Sequence, residues 1–146
     1  MGHSRGGLTT KIHALVDAEG RPVRLELTAG QAGDAPMATK LLDAVAPGAT
    51  VIADKAYDTD GIRSFVASRN AWANIPPRFI RKCIKPMPRR VNIPAFSSFL
   101  YRYRNLVERF FNRIKQMRGL ATRYDRRADN FAAALKLAAV RIWINA

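Results

Sequence analysis

The chain has 146 residues, enough for one domain with a hydrophobic core or for part of a larger one. Its 25 lysines and arginines outnumber the 11 aspartates and glutamates, giving a formal net charge of +14 at pH 7. Because 48% of the residues are hydrophobic, the composition excludes a disordered chain. The charge predicts a polyanionic partner such as nucleic acid, with genomic bias towards arginine as the alternative explanation.

The single cysteine, Cys83, rules out an intrachain disulfide and has no cluster of Cys or His residues beside it. This favours a reducing, cytoplasmic compartment and argues against a zinc site. The longest apolar segment, near the C-terminus, is interrupted by Lys136 and Arg141, so no membrane partner is expected.

A β-hairpin is predicted near the N-terminus. Residues 8–16, "LTTKIHALV", are β-branched and alternate in part, which is typical of a strand. "DAEGRP" has turn chemistry, and "VRLELTA" places Val23, Leu25 and Leu27 on one face of a second strand.

The middle of the chain alternates helices and strands. Asp34 is expected to cap a helix that extends to about Val45, with Pro36 in its first turn. "ATVIAD" predicts a short buried strand with Asp54 at its C-terminal end. A helix over residues 60–68 and a short strand at "AWANIP" follow.

The C-terminal half begins with a basic loop rich in proline and arginine, residues 76–98, which has no clear periodicity. A long helix is predicted over residues 98–118, ending at Gly119. A final helix over residues 128–144 is apolar nearly all round and is expected to be buried. The order of elements predicts an α/β domain with a mixed sheet flanked by helices.

Four titratable residues in the first half have structural explanations. His13 lies on a strand, where a lone histidine is more often structural than catalytic. Asp17 falls in the hairpin turn, a position that favours aspartate. Asp58 and Asp60 precede a helix and are expected to cap it rather than to catalyse.

The long helix gathers four polar side chains on one stripe. At about 100° per residue, Tyr101, Arg104, Glu108 and Lys115 fall within about 60°. The opposite side is apolar and is predicted to pack: Phe99, Tyr103, Leu106, Val107, Phe110, Ile114 and Met117.

The stripe leaves two interpretations of Glu108 open. In the first, Glu108 forms surface ion pairs with Arg104 and Arg109, which contribute about 0–1 kcal/mol. In the second, Glu108 binds a divalent cation while Arg104 and Lys115 hold phosphate oxygens, because hard cations prefer carboxylate ligands.

The spacing Tyr-x2-Arg-x3-Glu-x6-Lys resembles the signature of bacterial insertion-sequence transposases of the DDE class, in the insertion sequence four/five superfamily. All four positions match, at Tyr101, Arg104, Glu108 and Lys115. "GHSRGGLTTKIHALVDAEGRPVRLELTAGQAGD", "VIADKAYD" and "NLVERFFNRIKQMRGLATRYD" are also similar to the insertion-sequence-five branch. The resemblance extends over nearly the entire chain.

The resemblance implies a ribonuclease H-like fold with three carboxylates around two Mg²⁺ ions. It places the second catalytic Asp on Asp54 and the catalytic Glu on Glu108, both as metal ligands. Tyr101, Arg104 and Lys115 would position DNA near the element end. The implied activity is Mg²⁺-dependent cleavage of element ends, followed by transfer of the DNA 3′-hydroxyl to a target.

The sequence departs from the family at its front. The family's first catalytic Asp belongs to a segment that precedes "GHSRGG", and no acidic residue present has the context to replace it. Residues 1–146 are therefore expected to correspond to a partial catalytic domain that lacks its N-terminal part. Without the strand that carries this Asp, the strands at 8–16 and 50–54 are expected to flank a gap.

Three functional hypotheses follow. The leading one is a downstream frame that acts as a transposase only when joined to an upstream segment, working on element ends and target DNA through self-association. The alternative is an inactive DNA-binding remnant or inhibitor. An RNA-binding protein is disfavoured because clustered stacking aromatic residues are absent from the sequence.

Overall fold

The computed structural model describes residues 2–4, 7–32, 35–77, 94–121 and 127–145. The chain divides into two compact units, one made of Met1–Ala44 with Tyr103–Ala146 and the other of Val45–Arg102. In the described part of the chain, no helix is long and apolar enough to cross a membrane. Most of the predicted basic loop, residues 78–93 with Cys83, lies outside the described residues, as does the predicted cap Asp34.

The described elements alternate in type, which confirms the α/β class. The strands are β1 (Gly2–Ser4), β2 (Gly7–Val16), β3 (Pro22–Ala29), β4 (Thr50–Ile52) and β5 (Trp72–Asn74). The α-helices are α1 (Ala35–Leu42), α2 (Asp60–Ser68), α3 (Ser98–Tyr101), α4 (Asn105–Gln116), α5 (Arg118–Ala121) and α6 (Ala128–Ile144). Two 3-10 turns lie at Lys55–Tyr57 and Arg102–Arg104.

The described strands form two small sheets, one in each unit, and the mixed sheet expected from the sequence is not confirmed. In the first unit, β1, β2 and β3 make an antiparallel sheet in that order, which confirms the hairpin. In the second unit, β4 and β5 pair in parallel. Among the described strands, none pairs with both sheets.

The core of the first unit lies between the hairpin and two helices. Four buried side chains from α4 and α6 form its centre: Phe110, Ile114, Leu135 and Ile142. One face of the hairpin packs against them through Ile12, Ala14, Val16, Leu25 and Leu27. Val23 was predicted on the same face, but it is 47% exposed and is not among the side chains that pack against this cluster.

The hairpin turn is organised by Asp17. Its Oδ1 accepts hydrogen bonds from the backbone amides of Glu19 (3.0 Å) and Arg21 (2.8 Å), and its Oδ2 accepts one from Arg21 Nε at 2.7 Å. Burial alone would raise the pKa of the Asp17 carboxyl. The hydrogen bonds and the charge of Arg21 outweigh burial, so the pKa of Asp17 lies below its ordinary value.

Replacing Asp17 by asparagine should therefore reduce the free energy of unfolding at pH 7 by about 1–2 kcal/mol, since charge-assisted hydrogen bonds are lost. Because the carboxyl has a lower pKa in the folded chain, its contribution is complete above about pH 4 and is lost as the pH falls through the folded value. Urea unfolding at pH 7 and pH 3 measures this. If the free energy of unfolding falls by the same amount between pH 7 and pH 3 in Asp17→Asn and in the parent, this role of the Asp17 carboxylate is contradicted.

The first predicted helix is shorter than expected. α1 ends at Leu42, and the chain turns through Asp43 and Ala44 instead of continuing to Val45. The Ala44 amide donates to the Leu41 carbonyl at 3.2 Å, only three residues back, so the chain leaves the helix in a tighter turn.

The predicted long helix is interrupted. A 3-10 turn at Arg102–Arg104 separates α3 from α4, and α4 ends at Gln116, so Gly119 lies inside the short α5 instead of terminating the helix. A helical wheel drawn through the turn therefore fails for its first residues. Phe99 and Tyr103, predicted on the packed side, are 63% and 51% exposed.

The final helix has the predicted bounds, but the prediction that it is buried is wrong for one face. α6 buries Phe131, Leu135, Ala138 and Ile142, whereas Leu137 and Ile144 are more than 70% exposed. The periodicity was too weak to separate the two faces because both are apolar.

Candidate active-site residues

Asp54 lies at the carboxyl end of the parallel strands of the second unit. It follows β4 by two residues in extended conformation (φ −69°, ψ 158°) and precedes the 3-10 turn Lys55–Tyr57, whose Tyr57 amide donates to the Asp54 carbonyl at 2.9 Å. Val51 is buried and anchors the strand, whereas Asp54 is exposed. A carboxylate at this edge is placed where α/β proteins build ligand sites.

Tyr101 is held against Asp54. Its phenol Oη donates a hydrogen bond to Asp54 Oδ1 at 3.0 Å, across 47 residues of sequence. The Tyr101 ring also packs edge-on against Phe96, with the centroids 5.4 Å apart and the planes at 61°. The tyrosine of the four-residue pattern thus contacts the carboxylate of a different motif.

Asn74 fixes the start of α3, the helix that carries Tyr101. Its side chain is fully buried; Nδ2 donates to the Ser97 carbonyl at 3.0 Å and Oδ1 accepts from the Ser97 amide at 2.8 Å. Ser97 in turn caps α3, because its Oγ accepts from the Leu100 amide at 3.3 Å. One amide side chain therefore ties the end of β5 to the helix that presents Tyr101.

A buried ion pair secures the segment that follows Asp54. Arg63 on α2 donates through Nε to Asp58 Oδ1 at 2.8 Å, and the Asp58 side chain is only 4% exposed. The same guanidinium donates to the carbonyls of Ala73 (3.2 Å) and Ile75 (2.8 Å) beside β5. Arg63 thereby connects this segment, α2 and the end of β5.

The prediction that Asp58 and Asp60 cap the helix is corrected in part. Thr59 is the capping residue of α2, since its Oγ1 accepts from the Ile62 amide at 3.2 Å. Asp58 turns inward to Arg63, where its burial is matched by a cation. Asp60 occupies the first turn, where the helix dipole favours a carboxylate.

Glu108 lies on α4 in the first unit and pairs with Arg104. Arg104 Nη2 donates to Glu108 Oε1 at 2.6 Å, and the two side chains are 31% and 54% exposed. An exposed pair one helical turn apart contributes about 0.3–0.5 kcal/mol. This contact is what the surface-pair interpretation expects, and it also leaves more than half of the Glu108 side chain accessible to a ligand.

The four-residue pattern is divided between the two units. Arg104, Glu108 and Lys115 belong to the first unit, with Lys115 exposed in the last turn of α4. Tyr101 belongs to the second unit, on α3. The structure thus groups the residues as two contacts, Tyr101 with Asp54 and Arg104 with Glu108.

His13 has a structural role, as predicted. Its side chain is buried, and Nε2 lies 2.7 Å from Thr28 Oγ1 on the paired strand β3. Within the described ranges, no group of three or more His, Cys, Asp or Glu side chains is placed to hold a metal ion.

Sequence reasoning missed Asn74, Ser97 and Arg63. The available signal was a polar residue in the middle of an otherwise apolar strand, "AWANIP", since a buried amide requires a hydrogen-bonding partner. The partner could not be predicted from the local sequence, because Ser97 lies 23 residues further along the chain.

Comparison with known proteins agrees with the motifs. The model of the family described as the transposase DDE domain matches residues 2–143. A Brucella ovis protein named as a transposase for insertion sequence element IS6501 is 39% identical over 138 residues. The match covers 94% of this chain and 99% of that protein. No solved structure matches. The chain therefore belongs to the DDE transposase family of insertion sequences.

Proposed function

We propose that this chain is the catalytic portion of an insertion-sequence transposase that cleaves DNA at element ends and transfers the strand to a target. We further propose a ribonuclease H-like fold. The antiparallel hairpin, the parallel pair β4–β5 joined through α2, and the carboxylate at the end of β4 support this assignment.

The hydrogen bond between Tyr101 and Asp54 carries the proposal. The contact joins the tyrosine of the four-residue pattern to the aspartate that the resemblance places in the active site. A phenol that donates to a carboxylate fixes its orientation, as residues behind metal ligands commonly do. Tyr101 is thus a positioning residue for Asp54.

The donor chemistry of Asp54 and Glu108 fits Mg²⁺. Both are exposed carboxylates, the ligand type that Mg²⁺ prefers, and the ion pair of Glu108 with Arg104 is itself exposed. Lewis-acid stabilisation of the phosphodiester is the chemistry that Mg²⁺ supplies at such residues. The family resemblance, not a geometric cluster, is what supports two ions.

The basic residues of α4 would hold the DNA. Arg104 presents a planar guanidinium that can donate to two phosphate oxygens, and Lys115 offers a compact charge in the last turn of the same helix. Arg104 also holds Glu108, so one side chain would link the carboxylate to the strand.

A third carboxylate is expected from a segment encoded upstream, since two carboxylates do not complete the family's set of three. The second candidate is an inactive DNA-binding protein that inhibits transposition by occupying element ends. The net charge of +14 is compatible with DNA binding in either case. Detection of an upstream coding frame that supplies an aspartate-bearing strand separates the two.

Replacing Tyr101 by phenylalanine tests the positioning role. The ring packing on Phe96 is kept and only the hydrogen bond to Asp54 is removed. Loss of a residue that orients a metal ligand typically costs 10–100-fold, so we expect Mn²⁺ affinity, measured by water-proton relaxation, to fall about 10-fold.

The matched control is Tyr103→Phe, which removes the same hydroxyl from a side chain that is 51% exposed. This variant should bind Mn²⁺ like the parent. Equal Mn²⁺ affinity for both variants and the parent would show that Tyr101 does not position a metal ligand.

A further inference from the structure

A groove of about 950 Å³ lies in the first unit, between α4, α5 and α6. Each of the three helices contributes an arginine to its lining: Arg113 from α4, Arg118 from α5 and Arg141 from α6. Gln116 adds an amide on the same side of α4 as Arg113. These side chains are exposed, whereas the floor is apolar.

The charged residues described in the lining of the groove are all cationic. None of the described residues that line it is an aspartate or glutamate. A bound anion would lower the repulsion between cations that line the same groove. We propose that this groove binds the phosphodiester backbone of DNA, at a contact separate from the proposed metal-binding residues.

The geometry of α4 separates the two surfaces. Arg113 is five residues from Glu108, which places it about 140° around the helix, and about 160° from Lys115. Arg113 therefore cannot serve the phosphates held by Arg104 and Lys115. The helix α4 therefore presents basic residues on two sides, and both sides are proposed to contact DNA.

The chemistry favours phosphate over an acidic protein segment. Guanidinium groups match the bidentate geometry of phosphate oxygens, and the chain as a whole carries a net charge of +14. The groove is also open along the surface and shared by three elements, as a strand-tracking contact requires. An acidic peptide is the alternative ligand, and the test below distinguishes it from DNA.

The proposal is tested with Arg113→Ala/Arg141→Ala in the full chain. Affinity for a fluorescein-labelled duplex of random sequence is measured by anisotropy in EDTA, at several salt concentrations. Loss of two phosphate contacts should reduce the slope of log affinity against log salt by about 1.8. Arg113→Lys/Arg141→Lys, which keeps the charge, should retain most of that slope.

The matched control is Lys40→Ala/Lys136→Ala, which removes two exposed charges from α1 and α6 outside the groove. It should keep the parent slope. Equal slopes for the groove variant and this control would overturn the proposal. It would also be overturned if Arg113→Ala/Arg141→Ala weakened binding of a labelled poly-glutamate peptide but left the affinity for DNA unchanged. Because the assay contains EDTA, its result does not depend on Asp54 or Glu108 binding metal.

Discussion

Glu108→Gln in the complete transposase should lower Mg²⁺-dependent cleavage of element ends about 10³-fold. Stabilisation of transition-state charge by a bound metal contributes several kcal/mol, and about 4 kcal/mol corresponds to that factor. Glutamine keeps the size of the side chain and its helical preference, so the fold should be unchanged. Asp54→Asn should have an effect of similar size, since the two carboxylates are proposed for the same chemistry.

Glu19→Gln is the control for this experiment. Glu19 is 60% exposed and pairs with Arg21 at 2.9 Å, much as Glu108 is 54% exposed and pairs with Arg104. Loss of either surface ion pair costs little stability. If Glu108→Gln and Glu19→Gln both retain full cleavage, then Glu108 is only a surface residue and the active-site assignment fails.

Asn74→Ala should reduce the free energy of unfolding by about 2–3 kcal/mol. The substitution removes two hydrogen bonds to the Ser97 backbone and leaves a void at a fully buried position. Because Ser97 caps α3, the start of that helix should loosen, and with it the placement of Tyr101. Urea unfolding gives the stability, and hydrogen exchange at the Leu100 amide reports on the cap.

Asn130→Ala provides the comparison, since Asn130 is exposed in the first turns of α6. This substitution should change the free energy of unfolding by no more than about 0.5 kcal/mol. An Asn74→Ala protein as stable as Asn130→Ala, with unchanged exchange at Leu100, would show that the Ser97 contact does not hold α3.

Local patterns predicted the elements of this chain well. The alternation in "VRLELTA" and the turn residues of "DAEGRP" indicated the hairpin, and α2 and α6 have the expected bounds. These features depend on residues close in sequence, where side-chain periodicity and turn chemistry dominate.

The features that the sequence did not reveal depend on distant partners. Asn74 and Ser97 are 23 residues apart in sequence. Arg63 donates to carbonyls that lie 10 and 12 residues further along the chain. No local periodicity encodes either contact. The break between α3 and α4 was hidden because the residues of the 3-10 turn, Arg102–Arg104, are good helix formers on average. The exposed face of α6 was hidden because apolarity alone does not say which face packs.

Helical geometry was a poor guide to the partner of Tyr101. The wheel placed Tyr101 on one stripe with Glu108, whereas the structure joins Tyr101 to Asp54 and Arg104 to Glu108. The 3-10 turn changes the direction of the side chains but not their spacing in sequence, so the family resemblance does not depend on an unbroken helix. The roles of these residues stay predictions.

Paramagnetic broadening by Mn²⁺ tests the central claim most directly. Backbone amide resonances of the isotope-labelled chain would be followed as Mn²⁺ is added at sub-stoichiometric amounts. The account predicts selective broadening at the residues around Asp54 and around Glu108, reduced in Asp54→Asn and in Glu108→Gln. Unchanged resonances at both positions, or broadening that both substitutions leave intact, would contradict the assignment of these carboxylates as metal ligands.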